Sequence, residues 1–171
     1  MRRIGIWPVA ALAAVVSSSM APRAARAQDM GIEIGKTAPA ATVATLDGQP
    51  VDLARIVGKG PALVEFWATW CPNCRELEPT VKRVAAKYAG RVRFVGISVS
   101  VNQSPARVKA YVAKHAMPGE QYFDAKGEAT GAYDVPATSY VVVLDGGGKV
   151  VYTGLGGDQD LDAAIRKAGV K

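Results

Sequence analysis

Apolar residues recur along the chain with two spacings, which predict an alternation of strands and helices. Runs rich in valine, leucine and aromatic residues predict strands at 62–67, 92–99 and 139–144, and 121–123 predicts only a short extended piece. The first run is almost wholly apolar and bounded by turn residues, so we expect a central strand buried on both faces. A helical pattern starts directly after it. Its apolar face comprises Leu77, Val81, Val84, Ala85 and Tyr88.

Turn and cap residues complete the predicted order of elements. Asp47-Gly48 predicts the turn of an N-terminal hairpin, and Ser104-Pro105 predicts the start of another helix. The glycine-rich stretch 145–148 predicts a second hairpin, and a last helix follows at 158–168. Strands that alternate with helices and end in a hairpin predict one α/β domain. We expect a mixed central β-sheet flanked by helices, with an N-terminal β-hairpin extension.

The first 27 residues have the composition of a secretory signal peptide. Arg2-Arg3 form a positive n-region, residues 4–16 are mostly apolar, and Ala25-Arg26-Ala27 is an A-x-A cleavage site. We therefore expect a signal peptide at 1–27, a single mature domain at 28–171, and a periplasmic or otherwise exported protein. An uncleaved N-terminal anchor is the alternative, and only then would the protein be attached to a membrane.

Net charge gives no reason to expect a nucleic-acid partner. The chain carries 21 Lys and Arg and 15 Asp and Glu, a formal net charge of +6. Four arginines lie before Gln28 and no acid does, so the predicted mature chain has a net charge of only +2. Basic residues do not cluster with aromatic ones, so we expect no binding to nucleic acid.

Cys71 and Cys74 are the only cysteines, and they lie where the predicted central strand meets the next helix. The first sulfur is then at a helix N-terminus, where unpaired N–H groups and the helix dipole favour a thiolate. This favours a redox-active dithiol over a structural disulfide, whose short loop would stabilise the fold weakly. A zinc site needs about four ligands, and His115, the only histidine, is expected to be solvated. We therefore expect no metal and no other cofactor.

The run 66–75, Phe-Trp-Ala-Thr-Trp-Cys-Pro-Asn-Cys-Arg, with Glu78-Pro79 after it, resembles the thioredoxin superfamily. Within that superfamily it is most similar to the exported TlpA/ResA-like thiol:disulfide oxidoreductases, over about 35–168. The resemblance implies a thioredoxin-like fold and a redox disulfide between Cys71 and Cys74. Cys71 would be the nucleophile and the more exposed sulfur, and Cys74 would resolve the mixed disulfide. The partners would be protein dithiols or disulfides and a redox partner protein. The protein itself would act as a monomer.

Glu65 is the only charged residue in the predicted central strand. Burial of an unpaired carboxylate is costly, and such a group raises its pKa instead. Thioredoxins carry a buried acid at the matching position, so the resemblance implies that Glu65 exchanges a proton with Cys74. The alternative is that the strand end is solvated, or that Glu65 pairs with a lysine.

The immediate neighbours of the cysteines complete the predicted site. Pro72 lacks a backbone N–H in the first helical turn, and together with Asn73 it should tune the stability of the thiolate. Trp70 is either part of the substrate surface or a core aromatic residue.

The chain departs from the superfamily opposite the cysteines. Thioredoxin-fold proteins place a cis-proline there, and an ungapped count puts that position at Ser139, preceded by Thr138. A non-proline cis bond costs about 3 kcal/mol, so we expect a trans peptide with Thr138 or Ser139 facing the sulfurs. Pro136 is the alternative, and it would need a shifted start of the strand.

Two other functions stay open on the sequence alone. Peroxiredoxins share the fold, but their Pro-x-x-x-Thr-x-x-Cys motif is absent, because the eight residues that end at Cys71 begin with Val64 and have Ala68 at the threonine position. A metallochaperone that holds a soft ion such as Cu(I) between the sulfurs is the non-enzymatic alternative.

Overall fold

The computed structural model describes residues 30–171, and the predicted signal peptide at 1–27 lies outside them. The described elements alternate between strands and helices as the sequence predicts. In chain order they are β1 (Thr42–Thr45), β2 (Pro50–Asp52), α1 (Leu53–Val57), β3 (Ala62–Trp67), α2 (Pro72–Lys87), β4 (Arg93–Val99), α3 (Pro105–His115), β5 (Glu120–Asp124), α4 (Glu128–Ala132), β6 (Tyr140–Leu144), β7 (Val150–Leu155) and α5 (Leu161–Lys167). None of these helices is long and apolar enough to cross a membrane.

The strands form one mixed seven-stranded sheet in the order β2-β1-β5-β4-β3-β6-β7. β3 and β5 run parallel to β4, and the other neighbouring pairs are antiparallel. All six residues of β3 are buried, as its apolar run predicts. The predicted α/β class and mixed central sheet are confirmed.

β5 is a larger element than the sequence predicts. Its five residues, Glu120–Asp124, lie between β1 and β4, so β5 joins the N-terminal hairpin to the rest of the sheet. Only Tyr122 and Phe123 give it a strand-like composition, because polar residues flank them on both sides. Its place in the sheet comes from pairing with two neighbouring strands rather than from an apolar pattern.

Alternate residues of β3 enter different parts of the core. Val64 and Phe66 belong to the core on one face, whereas Leu63 packs with Leu77 of α2 on the other. Trp67, at the end of the same face as Leu63, belongs to a third cluster that contains both cysteines. The face of β3 that α2 covers therefore leads from the core directly to the dithiol.

Candidate active site

The two cysteines lie where β3 gives way to α2. β3 ends at Trp67, and a tight turn follows in which the Cys71 N–H donates to the carbonyl oxygen of Ala68 at 3.1 Å. Cys71 has extended backbone angles, φ −76° and ψ 118°, and it is the N-cap residue of α2. It forms a disulfide bond with Cys74, and the two Cα atoms are 5.3 Å apart. The dithiol is therefore in its oxidised state at the N-terminus of a helix.

The backbone at the start of α2 can hold negative charge on the first sulfur. The N–H of Cys74 donates to Sγ of Cys71 at 3.1 Å. Pro72 occupies the first turn, where its missing N–H costs no helical hydrogen bond. α2 is 16 residues long, and its dipole places partial positive charge at this end. On reduction these groups stabilise the thiolate that attack on a disulfide requires.

Neither cysteine is freely exposed in the oxidised state. As whole residues, Cys71 is 2% exposed and Cys74 is 6% exposed, and the greater exposure of the Cys71 sulfur stays a prediction. The turn that precedes α2 folds Cys71 back into a buried cluster with Trp67. Pro72 and Asn73, between the cysteines, are the exposed part of the motif. An incoming disulfide therefore meets this dipeptide before it meets the sulfurs.

Glu65 lies inside the sheet rather than at a solvated strand end. It is 4% exposed, and it shares the face of Leu63 and Trp67 that α2 covers. No lysine or arginine within residues 30–171 pairs with it. Burial, aided by the negative charge of Glu78, raises the pKa of Glu65 to about 8. Its predicted burial is confirmed, and such a carboxyl can hold or release a proton near neutral pH.

Glu78, on α2, is the centre of a cluster of ionisable side chains. Its carboxylate accepts hydrogen bonds from Lys82 Nζ at 2.7 Å and from the hydroxyl of Tyr111 at 3.2 Å. Nδ1 of His115 lies 3.2 Å from the same carboxylate. Partial burial alone would raise the pKa of Glu78, but the hydrogen bonds and charges of Lys82 and His115 lower it below its ordinary value. Glu78 is therefore a carboxylate at neutral pH.

His115 belongs to this cluster, and the prediction of a solvated side chain is wrong. Its ring stacks on Tyr111 with ring centroids 3.8 Å apart and an angle of 7° between the planes. The two residues are four apart on α3, which places them on one helical face toward α2. Tyr111 also packs against Trp67 at 5.4 Å between centroids. The cluster is thus connected to the end of β3 that carries the cysteines.

Trp70 lies on the surface beside the dithiol rather than in the core. It is 38% exposed, and its indole N–H donates to the carbonyl oxygen of Val101 at 2.8 Å. A second contact joins the same two loops, because the N–H of Thr69 donates to Oε1 of Gln103 at 3.0 Å. Gln103 in turn donates from Nε2 to Oγ of Ser98 at 2.7 Å. The loop before α2 is therefore fixed to the loop that follows β4.

Ser139 is held by hydrogen bonds on both sides of the residue. The described peptide bonds are all trans, including that between Thr138 and Ser139, and Ser139 has a left-handed φ of 66°. Its N–H donates to the carbonyl oxygen of Phe66 at 2.9 Å, and its hydroxyl donates to that of Gly156 at 2.9 Å. Gln159 donates from Nε2 to the Ser139 carbonyl oxygen at 3.1 Å. The hydroxyl is therefore committed to Gly156, and the placement of Ser139 beside the sulfurs stays a prediction.

A groove of about 690 Å³ runs alongside Trp70. Its walls come from four parts of the chain: the loop before α2, the end of β4 with the loop after it, α4 with the glycine before it, and the segment before β6. Residues that line it include Trp70, Val99, Val101, Val135, Pro136 and Thr138. Pro136 and Thr138, two of the three candidates for the position opposite the cysteines, therefore share this groove.

The ionisable side chains of the site do not form a metal centre. Within residues 30–171, no three His, Cys, Asp or Glu side chains are placed to hold a metal ion. His115 is engaged with Glu78, and the two sulfurs are bonded to each other. The site instead offers a dithiol at a helix N-terminus, a buried proton-holding carboxyl and an adjacent groove.

These features define a protein of the thioredoxin-like class. The chain belongs to the Redoxin family, whose sequence profile matches residues 33–167. It is 32% identical over 136 residues to the methylamine utilization protein MauD of Methylobacillus flagellatus, a match that covers 79% of this chain and 63% of MauD. It is 29% identical over 120 residues to the thiol-disulfide oxidoreductase ResA of Bacillus thuringiensis, with 70% of this chain and 68% of ResA covered.

A solved structure agrees with this placement. The crystal structure of a secreted Mycobacterium tuberculosis disulfide oxidoreductase homologous to E. coli DsbE superposes with a TM-score of 0.62 at 28% sequence identity. The match covers 75% of this chain and 93% of that one. The resemblance to ResA-like proteins and the thioredoxin-like fold are thus confirmed. The chain spans less than two thirds of the length of MauD.

Sequence reasoning missed the partners of the site on α3 and in the loop before α5. Glu78 and Lys82 are four apart on one helix, as are Tyr111 and His115 on another, so each pair alone could be recognised from its spacing. No pattern in the sequence shows that the two pairs meet. The hydrogen bond from Gln159 to Ser139 likewise joins positions 20 residues apart without a local motif.

Proposed function

We propose that this protein is a thiol:disulfide oxidoreductase that exchanges disulfides with protein thiols through Cys71 and Cys74. The observation that carries the proposal is the Cys71–Cys74 disulfide at the N-terminus of α2, with Glu65 buried under the same helix. The identities to ResA and to the secreted disulfide oxidoreductase support the same activity.

In the reducing direction, the Cys71 thiolate attacks one sulfur of the substrate disulfide. The substrate S–S bond breaks, one substrate sulfur leaves as a thiolate, and the other stays bound to Cys71 as a mixed disulfide. Cys74 then gives its proton to Glu65 and attacks Sγ of Cys71, which releases the second substrate thiolate. The substrate gains two electrons, the dithiol loses two, and the leaving thiolates take protons from water. The opposite direction uses the same steps in reverse.

The groove beside Trp70 supports docking of an extended protein segment. Trp70 and Val101 form an exposed apolar wall next to Cys71, and Val101 is 57% exposed. Thr138 lines the same groove. An apolar segment that flanks a substrate disulfide can pack there and place its sulfur over the Pro72-Asn73 dipeptide.

Export from the cytoplasm is part of the proposal. The leader at 1–27 has the features of a signal peptide. The Mycobacterium tuberculosis disulfide oxidoreductase that shares the fold at 28% identity is described as secreted. Outside the cytoplasm a disulfide can persist between turnovers. Mass spectrometry of the protein recovered from the producing cells should find a mature N-terminus at Gln28, and an intact leader would contradict the proposal.

The activity test is reduction of insulin disulfides by the reduced protein, with hydrogen peroxide and Cu(I) offered in parallel. Wild-type protein should reduce insulin, and Cys71→Ser should abolish the reaction. Cys74→Ser should instead accumulate a covalent mixed disulfide through Cys71, because the resolving thiol is missing. Insulin reduction that survives in Cys71→Ser would overturn the proposal, and peroxide turnover or Cu(I) retention without insulin reduction would favour the alternative functions.

A further inference from the structure

Glu65 and Glu78 are two carboxyl groups that share one side of the sheet. Glu65 lies between Leu63 and Trp67 on the face that α2 covers. Glu78 is one helical turn beyond Cys74, so both point along the same face of α2. The strands beside β3 add no charge, because the residues paired with Glu65 are Gly96 and Val141. On this side α5 also packs against α2, but its Asp162 is paired with Lys87 and Tyr88 at the C-terminal end of α2, away from the cysteines.

The hydrogen-bonded charged and titratable groups where α2 meets α3 centre on Glu78. Lys82 is its partner on α2, Tyr111 and His115 are its partners on α3, and Arg75 lies one turn before it. The Glu78 side chain is only 12% exposed, so water screens its charge weakly. His115 is 28% exposed and connects the cluster to solvent.

We propose that Glu78, together with Lys82 and His115, is a positioning group that sets the charge felt by Glu65 and thereby the pH at which Cys74 resolves the mixed disulfide. The proposal rests on the function proposed above and assigns part of its control to residues that touch neither sulfur. The carboxylate of Glu78 opposes ionisation of Glu65, and the ammonium of Lys82 weakens that effect. Removal of the two charges must therefore act in opposite directions.

The test is the rate at which Cys74 releases glutathione from a Cys71–glutathione mixed disulfide. The mixed disulfide is formed in acid from the pyridyl disulfide of glutathione, whose leaving group is activated by protonation. Because other thiols are protonated in acid, it persists until the sample is transferred to a series of higher pH values. The rate should rise with pH as Glu65 ionises. Glu78→Gln should move the midpoint of this rise down by about one pH unit, and Lys82→Met should move it up. Glu76→Gln, the same charge change on the exposed side of α2, should leave it in place.

The Glu65→Gln background separates coupling from a purely structural effect. In that background Glu78→Gln should produce no shift, because the group on which it acts is absent. Equal shifts of Glu78→Gln with and without Glu65, or shifts of the same sign in Glu78→Gln and Lys82→Met, would overturn the proposal. A wild-type protein that never forms the mixed disulfide would instead overturn the proposed function.

Discussion

The buried carboxyl of Glu65 lowers the stability of the fold, because burial of an unpaired ionisable group costs free energy. It is 4% exposed and has no basic partner within residues 30–171. A buried carboxylate in such surroundings is strongly disfavoured, so the folded protein binds a proton that the unfolded chain has already lost. The site keeps a group that costs stability, which is the pattern expected of a functional residue rather than a structural one.

This cost predicts how stability changes with pH. The pKa of Glu65 rises from 4.5 to about 8 on folding, so between these values the native state holds a proton that the unfolded state lacks. The free energy of unfolding should therefore fall as pH rises through this range. Glu65→Gln removes the titration, and it should be more stable than wild type at pH 8 by on the order of a few kcal/mol, with a smaller difference at pH 5. Urea unfolding at both pH values measures this, and parallel pH dependence in the two proteins would contradict it.

The left-handed backbone of Ser139 leads to a prediction about substitutions at that position. Its φ of 66° is outside the range of proline, and its N–H donates to Phe66. Ser139→Pro should therefore destabilise this protein by about 3 kcal/mol. Ser139→Gly keeps the left-handed conformation and should lose only about 1 kcal/mol with the hydroxyl. Chemical denaturation compares them, and a proline variant as stable as wild type would show that the loop has another conformation.

Strands and helices were predictable where local pattern and tertiary environment agree. β3 has an apolar run that suits a strand buried on both faces, and α3 has Ser104 as an N-cap followed by Pro105. The sequence could not predict the role of β5, because polar residues surround its two aromatic ones. Pairing partners from β1 and β4 determine that strand, and those contacts are not local in sequence.

The start of β5 depends on a close backbone approach. Gly119 has φ 71°, and a Cβ there would lie 2.1 Å from the carbonyl oxygen of Phe94 on β4. Because that atom is backbone, the strand itself would have to shift. Gly119→Ala should therefore destabilise the protein by about 3 kcal/mol, measured by thermal or urea unfolding.

Gly146 provides the matched control for that substitution. It lies in the turn between β6 and β7, and a Cβ there would meet nothing within 4 Å. Gly146→Ala should change stability by less than about 0.5 kcal/mol. Equal losses at the two glycines would show that the close approach at Gly119 does not limit the fold.

At the scale of the whole molecule, the fold brings together groups that the sequence shows only separately. The Cys71-Pro72-Asn73-Cys74 motif and the buried Glu65 were predictable, since both lie on the local β3–α2 unit. The α2–α3 cluster around Glu78 was not, because helix packing decides it. The prediction for His115 failed for the same reason: a residue near a helix end is solvated only if no neighbouring helix covers it.

The groove beside Trp70 is also formed by segments distant in sequence. It predicts that a substitution on its wall can weaken the binding of a protein substrate without changing the thiol reaction. Val101 is 57% exposed on its wall and takes no part in the proposed thiol chemistry. A charge there should disfavour an apolar protein segment without changing the sulfurs. We expect Val101→Asp to raise the KM for insulin about tenfold, equivalent to about 1.4 kcal/mol. The rate with a small disulfide such as oxidised glutathione should be unchanged.

Ile34 supplies the control for a charge on an exposed apolar residue. It is 49% exposed and adjoins Gly35, whose N–H donates to Val150 at the far end of the sheet. Across the sheet, Val150 pairs with Leu144, which in turn pairs with Ala62. Ala62 is the first residue of β3, whereas the cysteines follow its last residue, so Ile34 lies at the opposite end of the strand from the dithiol. Ile34→Asp should therefore leave both substrates unaffected. If Val101→Asp slowed glutathione and insulin equally, the groove would be acting on the dithiol itself rather than on the docking of a protein substrate.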